Sequence, residues 1–383
     1  MTTDLAHAPT PSLVLDRVRL ARNAERMTAH VASRGLRLRP HLKTAKSIDA
    51  ARYALAGNFG GITVSTLAEA EYFAGHGITD ILYAVGIVPD RMDRVAALVR
   101  RGVALSVITD DAATAAALAA KAAALGVRIP VMIEIDVGEG RGGVHPNSDA
   151  VLEIGRALAA SGGAELVGVM GHAGHSYAAR SIDGIASITV EEGQSAVLAA
   201  TRLRSIGLPC PVVSVGSTPT ALHGPVIEGV TEIRCGVYIF GDLFQAQIHS
   251  CAIEDLAVSV LATVIGHRRD PDRLIVDAGA LALSKDRSTA GMPFDAGFGM
   301  VADIAGAPYT PALRVDRVYQ EHGIIELADP GFLDRLPIGS RVRVLPNHVC
   351  LTAAMYDRYL VVDGGDTVRD SWARCNGWGE AGG

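Results

Sequence analysis

The stretch Leu36-Arg37-Leu38-Arg39-Pro40-His41-Leu42-Lys43-Thr44-Ala45-Lys46-Ser47 sets the reading of the chain. Leucines and proline fall at 36, 38, 40 and 42, with Arg37, Arg39, His41 and Lys43 between them. A period of two is that of a strand, and one face of this strand is cationic. On an outer surface that face would be solvated decoration. Lining a barrel, it would crowd Lys43 with groups that are or can be positive. Like charge and lost hydration both lower a lysine pKa, and the neutral amine is the form that makes a Schiff base. Lys43 ends the strand, at the side where barrel active sites are built. Lys46, the rival amine, falls past the strand in the expected helix.

Outward from this stretch a rhythm appears. A short strand, Ser12–Leu15, precedes a helix for which Asp16 is the expected N-cap. Apolar strand patterns follow at 36–43, 61–65, 80–85, 104–109, 130–137, 165–172, 211–216 and 231–236, separated by Ala/Leu/Arg-rich helical stretches such as 112–125 and 192–206. Eight strands alternating with helices predict a (β/α)8 TIM-like barrel. The rival, a doubly wound open sheet, lacks the Gly-x-Gly-x-x-Gly that would open its first helix. Beyond Ile253 the pattern changes to β-type runs punctuated by Gly and Pro, at 257–261, 274–277, 323–326, 341–345 and 359–362. The expected organisation is a barrel over 17–252 and an all-β domain formed by 253–383 together with 1–16.

Composition narrows the function. The chain has 383 residues, 49% hydrophobic and 20% charged, and so has a large core. A formal charge of −6 without blocks of like charge argues against a nucleic-acid partner. No apolar run reaches the roughly 18 residues needed to cross a bilayer, so no membrane partner is expected. The first ten residues do not have the pattern of a signal peptide. Five scattered cysteines fit a reducing, cytoplasmic setting better than a disulfide framework.

Several motifs carry chemistry. His348 and Cys350 stand two apart after the apolar run 341–345. Read as a continuing strand, they share one face and form half of a tetrahedral zinc-type site. Two protein ligands leave positions for water or substrate, as in a catalytic metal site. The plain alternative is a buried histidine beside a small apolar cysteine. Gly216-Ser217-Thr218-Pro219-Thr220, after the seventh strand, suits a phosphate cradle or an ordinary capped helix start. Arg234-Cys235-Gly236-Val237 ends the eighth strand; Arg234 could reach a ring nitrogen or serve as a salt-bridged strand end. His172-Ala173-Gly174-His175-Ser176-Tyr177 puts two imidazoles and a phenol at the end of the sixth. Arg141, in the glycine-rich turn after the fifth, could bind a phenolate or carboxylate. Glu321-His322 could support a metal from behind or form a polar turn.

On these residues the chain resembles the alanine-racemase-like, fold-type III pyridoxal phosphate enzymes, and His348-x-Cys350 narrows the resemblance to the D-serine dehydratase-like branch. The shared motifs include Arg39-Pro40-His41-x-Lys43-Thr44, Gly61–Thr66, Val212–Thr220 and Gln320–Gly323, and the likeness runs from about Thr10 to Trp378. It implies that Lys43 holds the cofactor, Arg141 reaches the ring oxygen, His172 packs on the ring and Arg234 pairs with the ring nitrogen. Ser217, Thr218, Gly236 and Val237 would bind phosphate. His348 and Cys350 would hold a divalent metal: zinc, or manganese, cobalt or nickel.

The expected reaction is dehydration of a D-3-hydroxy amino acid, such as D-threo-3-hydroxyaspartate or D-serine, to a 2-oxo acid and ammonia. Lys43 would be the base, with His172 and Tyr177 as further catalytic groups. The resemblance also implies a homodimer. Retro-aldol cleavage, as in the D-threonine and 3-hydroxy-D-aspartate aldolases, is the main alternative. By the resemblance, the D-threonine aldolases carry His-x-Asp at the metal and Gln in place of Arg234. Racemisation and non-catalytic cofactor binding are more distant alternatives.

Overall fold

The structure, a computed structural model, describes residues 4–379. The chain packs into two compact units. Of the described residues, one holds Arg26–Lys43, Ala54–Gly236 and 377–379; the other holds 4–25 with Thr44–Tyr53 and Val237–Asn376. The sequence-based boundary at residue 252 followed the strand count, whereas packing groups Thr44–Tyr53 and Val237–Asn376 in the β-rich unit. The bonds explain why. The Tyr359 hydroxyl donates to the Ala45 carbonyl at 2.7 Å, and the Ala257 N–H donates to the Phe240 carbonyl at 2.8 Å.

The first β-strand, β1 (Ser12–Asp16), belongs to the β-rich unit. The other unit is built on eight parallel strands: β2 (Arg37–Leu38), β3 (Ile62–Val64), β4 (Asp80–Gly86), β5 (Ala104–Thr109), β6 (Ile129–Ile135), β7 (Ala164–Gly171), β8 (Val212–Val215) and β9 (Glu232–Ile233). Their order is β2-β9-β8-β7-β6-β5-β4-β3. A parallel bridge between His41 and Thr63 joins the chain after β2 to β3 and closes the sheet into the expected barrel. The first strand is shorter than its alternation suggests, because Pro40 has no N–H for a ladder. Beyond Leu38 the extended chain is held by single bonds, Arg39 N–H to Ile233 and His41 N–H to Cys235. Leu82, Ile108, Met132 and Met170 form one buried apolar layer across β4–β7. Two residues further along the chain, on the same face by the strand period, lie Glu134 and His172.

In the β-rich unit ten strands pair, in the path β13-β12-β16-β10-β1-β17-β18: β10 (Val258–Arg268), β12 (Met300–Ala302), β13 (Pro308–Arg314), β16 (Arg341–Leu345), β17 (Arg358–Val362) and β18 (Val368–Ala373). Off this path, β11 (Arg273–Val276) pairs with β10 and β15 (Gly323–Glu326), and β14 (Arg317–Val318) pairs with β15. As expected, β1 joins this sheet, between β10 and β17. Asp16 caps the helix Arg17–Ala32, accepting from the N–H groups of Val18 and Arg19 at 3.0 and 3.2 Å. A buried cluster of Leu243, Leu256, Ala296, Met300, Ala302 and Leu345 packs part of the core. No described helix is long and apolar enough to cross a membrane.

Candidate active site

Lys43 lies in the turn after β2, its side chain exposed. The charges of Lys43, Arg234 and His172 add to burial in holding the His41 imidazole well below its ordinary value. Of the groups expected about Lys43, His41 lies beside it in the chain, but Arg37 is exposed and Arg39 is paired with the carboxylates of Glu232 and Asp80, so the cationic face is not the one the alternation suggested. Lys46 precedes the helix Ile48–Leu55 instead of lying in it, with a backbone φ of 48°.

His172 follows β7. Its Nδ1 is 2.8 Å from the Gly216 carbonyl oxygen. Burial is the first cause that drives the His172 pKa down to about 3, and the charges of Arg234, Lys43 and Arg141 add to it. The ring is thus neutral at ordinary pH, with Nδ1–H the donor to Gly216. Gly216 has φ 128°, a conformation that side chains rarely adopt. Tyr177 stands in the turn Gly174–Ala178, its ring centroid 6.5 Å from that of His172.

Ser217 is the N-cap of the helix Thr218–His223, with a capping box to Thr220. Its hydroxyl is 2.8 Å from the Ser176 hydroxyl. The Ser217 side chain therefore serves the fold. Thr218 differs: its hydroxyl is buried with no hydrogen-bond partner, so it has bonding capacity free for a phosphate oxygen. Gly236 is required by packing, since a Cβ there would run into the His41 carbonyl oxygen. Val237 starts the single turn Val237–Ile239.

Arg234 is 3% exposed. It donates to the Ser214 hydroxyl at 2.9 Å and to the Gly171 carbonyl at 2.6 Å. Burial lowers its pKa, opposed by the charges of Glu232, Glu192 and Glu134. Arg141 remains exposed, 3.6 Å from Glu139.

In the β-rich unit the strand expected through His348 and Cys350 ends at Leu345. His348 is the N-cap of a short helix, Val349–Ala353, because Pro346 cannot continue the ladder. The shared strand face is replaced by the first turn of a helix. His348 Nδ1 lies 3.7 Å from Asp286 Oδ2, and the Cys350 Sγ lies 3.3 Å from the Thr44 hydroxyl. Burial works against charge on His348, but the neighbouring Asp286 carboxylate, the Cys350 thiol and the charge of Asp242 push its pKa up to about 10. Among the described residues no group of three His, Cys, Asp or Glu side chains forms a metal cluster. Any metal here would rest on two protein donors, an imidazole and a thiol, a set that suits zinc and similar borderline ions. Glu321 and His322 are exposed in a turn closed by the Tyr319 N–H to the His322 carbonyl at 2.8 Å, which is the polar-turn reading.

Sequence reasoning missed Glu192, in the helix Ile182–Ser205. It is fully buried, and its Oε1 accepts from the N–H groups of Ala173 and Gly216, both at 2.9 Å. One carboxylate oxygen thus ties the turn after His172 to the turn before Ser217. Burial raises its pKa, against those two bonds. Nothing in the local pattern Val190-Glu191-Glu192 separates it from a solvated helix face. Asp286 and Ser214 gave no signal either.

A barrel with an amine, a neutral imidazole and a buried guanidinium, followed by a β-rich unit, defines a class. The family model "Alanine racemase, N-terminal domain" matches residues 15–243, and a serine dehydratase domain model matches residues 257–362. The chain belongs to the alanine-racemase-like, fold-type III family of pyridoxal-phosphate-dependent enzymes, in its D-serine dehydratase branch.

Within that branch it is 45% identical to the D-threo-3-hydroxyaspartate dehydratase of Delftia sp. (strain HT23), over 99% of this chain and 100% of the relative. It is 31% identical to the D-serine dehydratase of Dictyostelium discoideum, over 98% of each chain. A solved cysteine-to-alanine variant of D-threo-3-hydroxyaspartate dehydratase, in a metal-free form, superposes with a TM-score of 0.94 at 44% identity, covering 98% of this chain and all of that one.

Proposed function

We propose that this enzyme dehydrates a D-3-hydroxy amino acid, with 3-hydroxyaspartate the first candidate, to a 2-oxo acid and ammonia. The observation that carries the reading is the pair His348 and Cys350 in a chain that also presents Lys43 at the barrel mouth, with full-length likeness to a 3-hydroxyaspartate dehydratase. Support for the metal comes from the relative whose cysteine variant was solved metal-free.

The residues fit the cofactor: Thr218 offers an unused buried hydroxyl, and Arg234 a fixed buried cation. Lys43 would hold pyridoxal phosphate, with Arg141 at the ring oxygen and Arg234 at the ring nitrogen. Ser217, Thr218, Gly236 and Val237 would take the phosphate, Ser217 through its backbone because its hydroxyl caps the helix. Bound there, the cofactor supplies a sink for the electron pair left at Cα. Lys43 removes the Cα proton as general base. His172, neutral and held by Gly216, would pack beside the cofactor without adding charge. Tyr177, its ring 6.5 Å from that of His172, would be a further catalytic candidate in the same turn region.

The residues fit a divalent metal as well, since His348 and Cys350 each have an orienting partner, Asp286 and Thr44. Such a metal supplies the Lewis acidity that lets hydroxide leave from Cβ. The enzyme works as a homodimer in the cytoplasm on this reading, and sedimentation of the active species tests the first of these.

A product assay tests the reaction. Purified enzyme is offered D-serine, both 3-hydroxyaspartate diastereomers and D-threonine. Ammonia with a 2-oxo acid is the expected outcome. Glycine with glyoxylate or acetaldehyde would establish retro-aldol cleavage instead.

A further inference from the structure

Behind Arg234 lies a buried chain of polar groups that the proposed chemistry does not use directly. Glu232 and Arg234 stand two apart, across the end of β9, and so point into the barrel on the same face. Ser214 is the register partner of Glu232 on β8. The Ser214 hydroxyl donates to Glu232 Oε1 at 2.7 Å and accepts from Arg234 Nη1 at 2.9 Å. Glu232 Oε2 accepts from Arg39 Nε at 2.9 Å. Arg39 in turn donates to both carboxylate oxygens of Asp80, at 2.7 and 3.3 Å. Ser214 and Glu232 are fully buried, and Arg39 is 9% exposed.

The directions of these bonds are fixed by chemistry. A serine hydroxyl has one hydrogen. Glu232 accepts it, so Ser214 can meet Arg234 only as an acceptor. Arg234 is thereby pinned at one terminal nitrogen by Ser214 and at the other by the Gly171 carbonyl at 2.6 Å. Its remaining N–H groups have one orientation left. The carboxylate of Glu232 polarises the hydroxyl and strengthens the bond it accepts. Arg39 and Asp80 complete the set, so that neither buried charge is left alone. A lone Arg–Glu pair would have sufficed to neutralise Arg234. The interposed hydroxyl and the second arginine fix geometry as well.

We propose that Ser214 and Glu232 are positioning residues for Arg234, and through it govern the ring nitrogen of bound pyridoxal phosphate. This rests on the reading that places Arg234 at that nitrogen. The pair makes Arg234 a rigid cation, which disfavours a proton on the ring nitrogen and so restrains the cofactor as an electron sink.

The test loads the enzyme with 15N-ring-labelled pyridoxal phosphate and records its resonance beside steady-state kinetics. Wild type should show an unprotonated ring nitrogen. Ser214→Ala frees one end of Arg234. The resonance should move toward the protonated position, and kcat should fall about 10-fold with KM changed less than about 3-fold. Glu232→Gln keeps an oxygen for Ser214 but removes the charge, and should shift the resonance in the same direction by less. It also covers the case in which Ser214→Ala does not fold, which urea midpoints of the cofactor-free proteins will show. Arg234→Ala is the control. If it moves the resonance while Ser214→Ala and Glu232→Gln match wild type, the positioning role is wrong and the Arg234 reading stands. If Arg234→Ala is silent as well, both readings fall.

Discussion

Arg234 and His348 are held in opposite ways. Arg234 is 3% exposed and bonded at both terminal nitrogens. The His348 side chain is 41% exposed and meets one carboxylate at 3.7 Å. The barrel unit builds its site by burial and mutual restraint, with Glu192 tying two turns and Ser214 directing a guanidinium. On the proposed reading, the β-rich unit would offer a metal two donors at the start of a short helix, with the rest of the coordination shell left to other molecules. A group that must stabilise charge without rearranging profits from the first design. A metal that must admit substrate needs the second.

This contrast predicts how each region breaks. The largest effect is expected at Lys43. Lys43→Ala should cost about 10³-fold in turnover, the scale of a lost general base. Borohydride treatment of wild type should fix the cofactor to the peptide containing Lys43, and label on Lys46 would sink the assignment. Next comes Cys350→Asp, which should retain some metal, favour a harder ion and lose at least ~10-fold in dehydration rate, about 1.4 kcal/mol. Cys350 is only half-buried, so the urea midpoint of Cys350→Asp should stay close to wild type.

Glu192 should behave in the reverse sense. Glu192→Ala leaves two buried N–H groups without an acceptor, at about 1–3 kcal/mol each, so the cofactor-free protein should lose roughly 3 kcal/mol. Glu192→Gln keeps an acceptor and should stay within about 1 kcal/mol. If Cys350→Asp unfolds the protein and Glu192→Ala does not, the contrast between the two regions is mistaken.

A further effect concerns pH. The His172 pKa falls from 6.5 to about 3 on folding, first through burial. Its contribution to stability is complete above 6.5 and is lost as pH falls toward 3. Between pH 7 and pH 5 the loss attributable to it is about 2 kcal/mol. Urea titrations of cofactor-free His172→Gln should therefore show a weaker decline over that interval than wild type.

The same contrast explains what the sequence disclosed. Barrel strands carry a period of two, so Lys43, His172 and Arg234 could be placed at strand ends by counting. The strand through His348 could not be excluded by such counting, because 341–345 is a true strand that stops at Pro346. Glu192, Asp286 and Ser214 act across distant chain segments, and local patterns hold no record of such partners. The four strands β12, β13, β14 and β18 were also missed. Pro308 and Pro311 interrupt β13, and β14 has only two residues.

The measurement that bears most directly on the central claim is ammonia release from D-threo-3-hydroxyaspartate by cofactor-loaded enzyme, before and after chelation, with oxo acid quantified in parallel. The account predicts one ammonia per oxo acid. A chelator should abolish both, a divalent metal should restore them, and the cofactor absorbance and the folded state should stay unchanged throughout. Ammonia release at full rate after chelation, or glycine in place of ammonia, would contradict it.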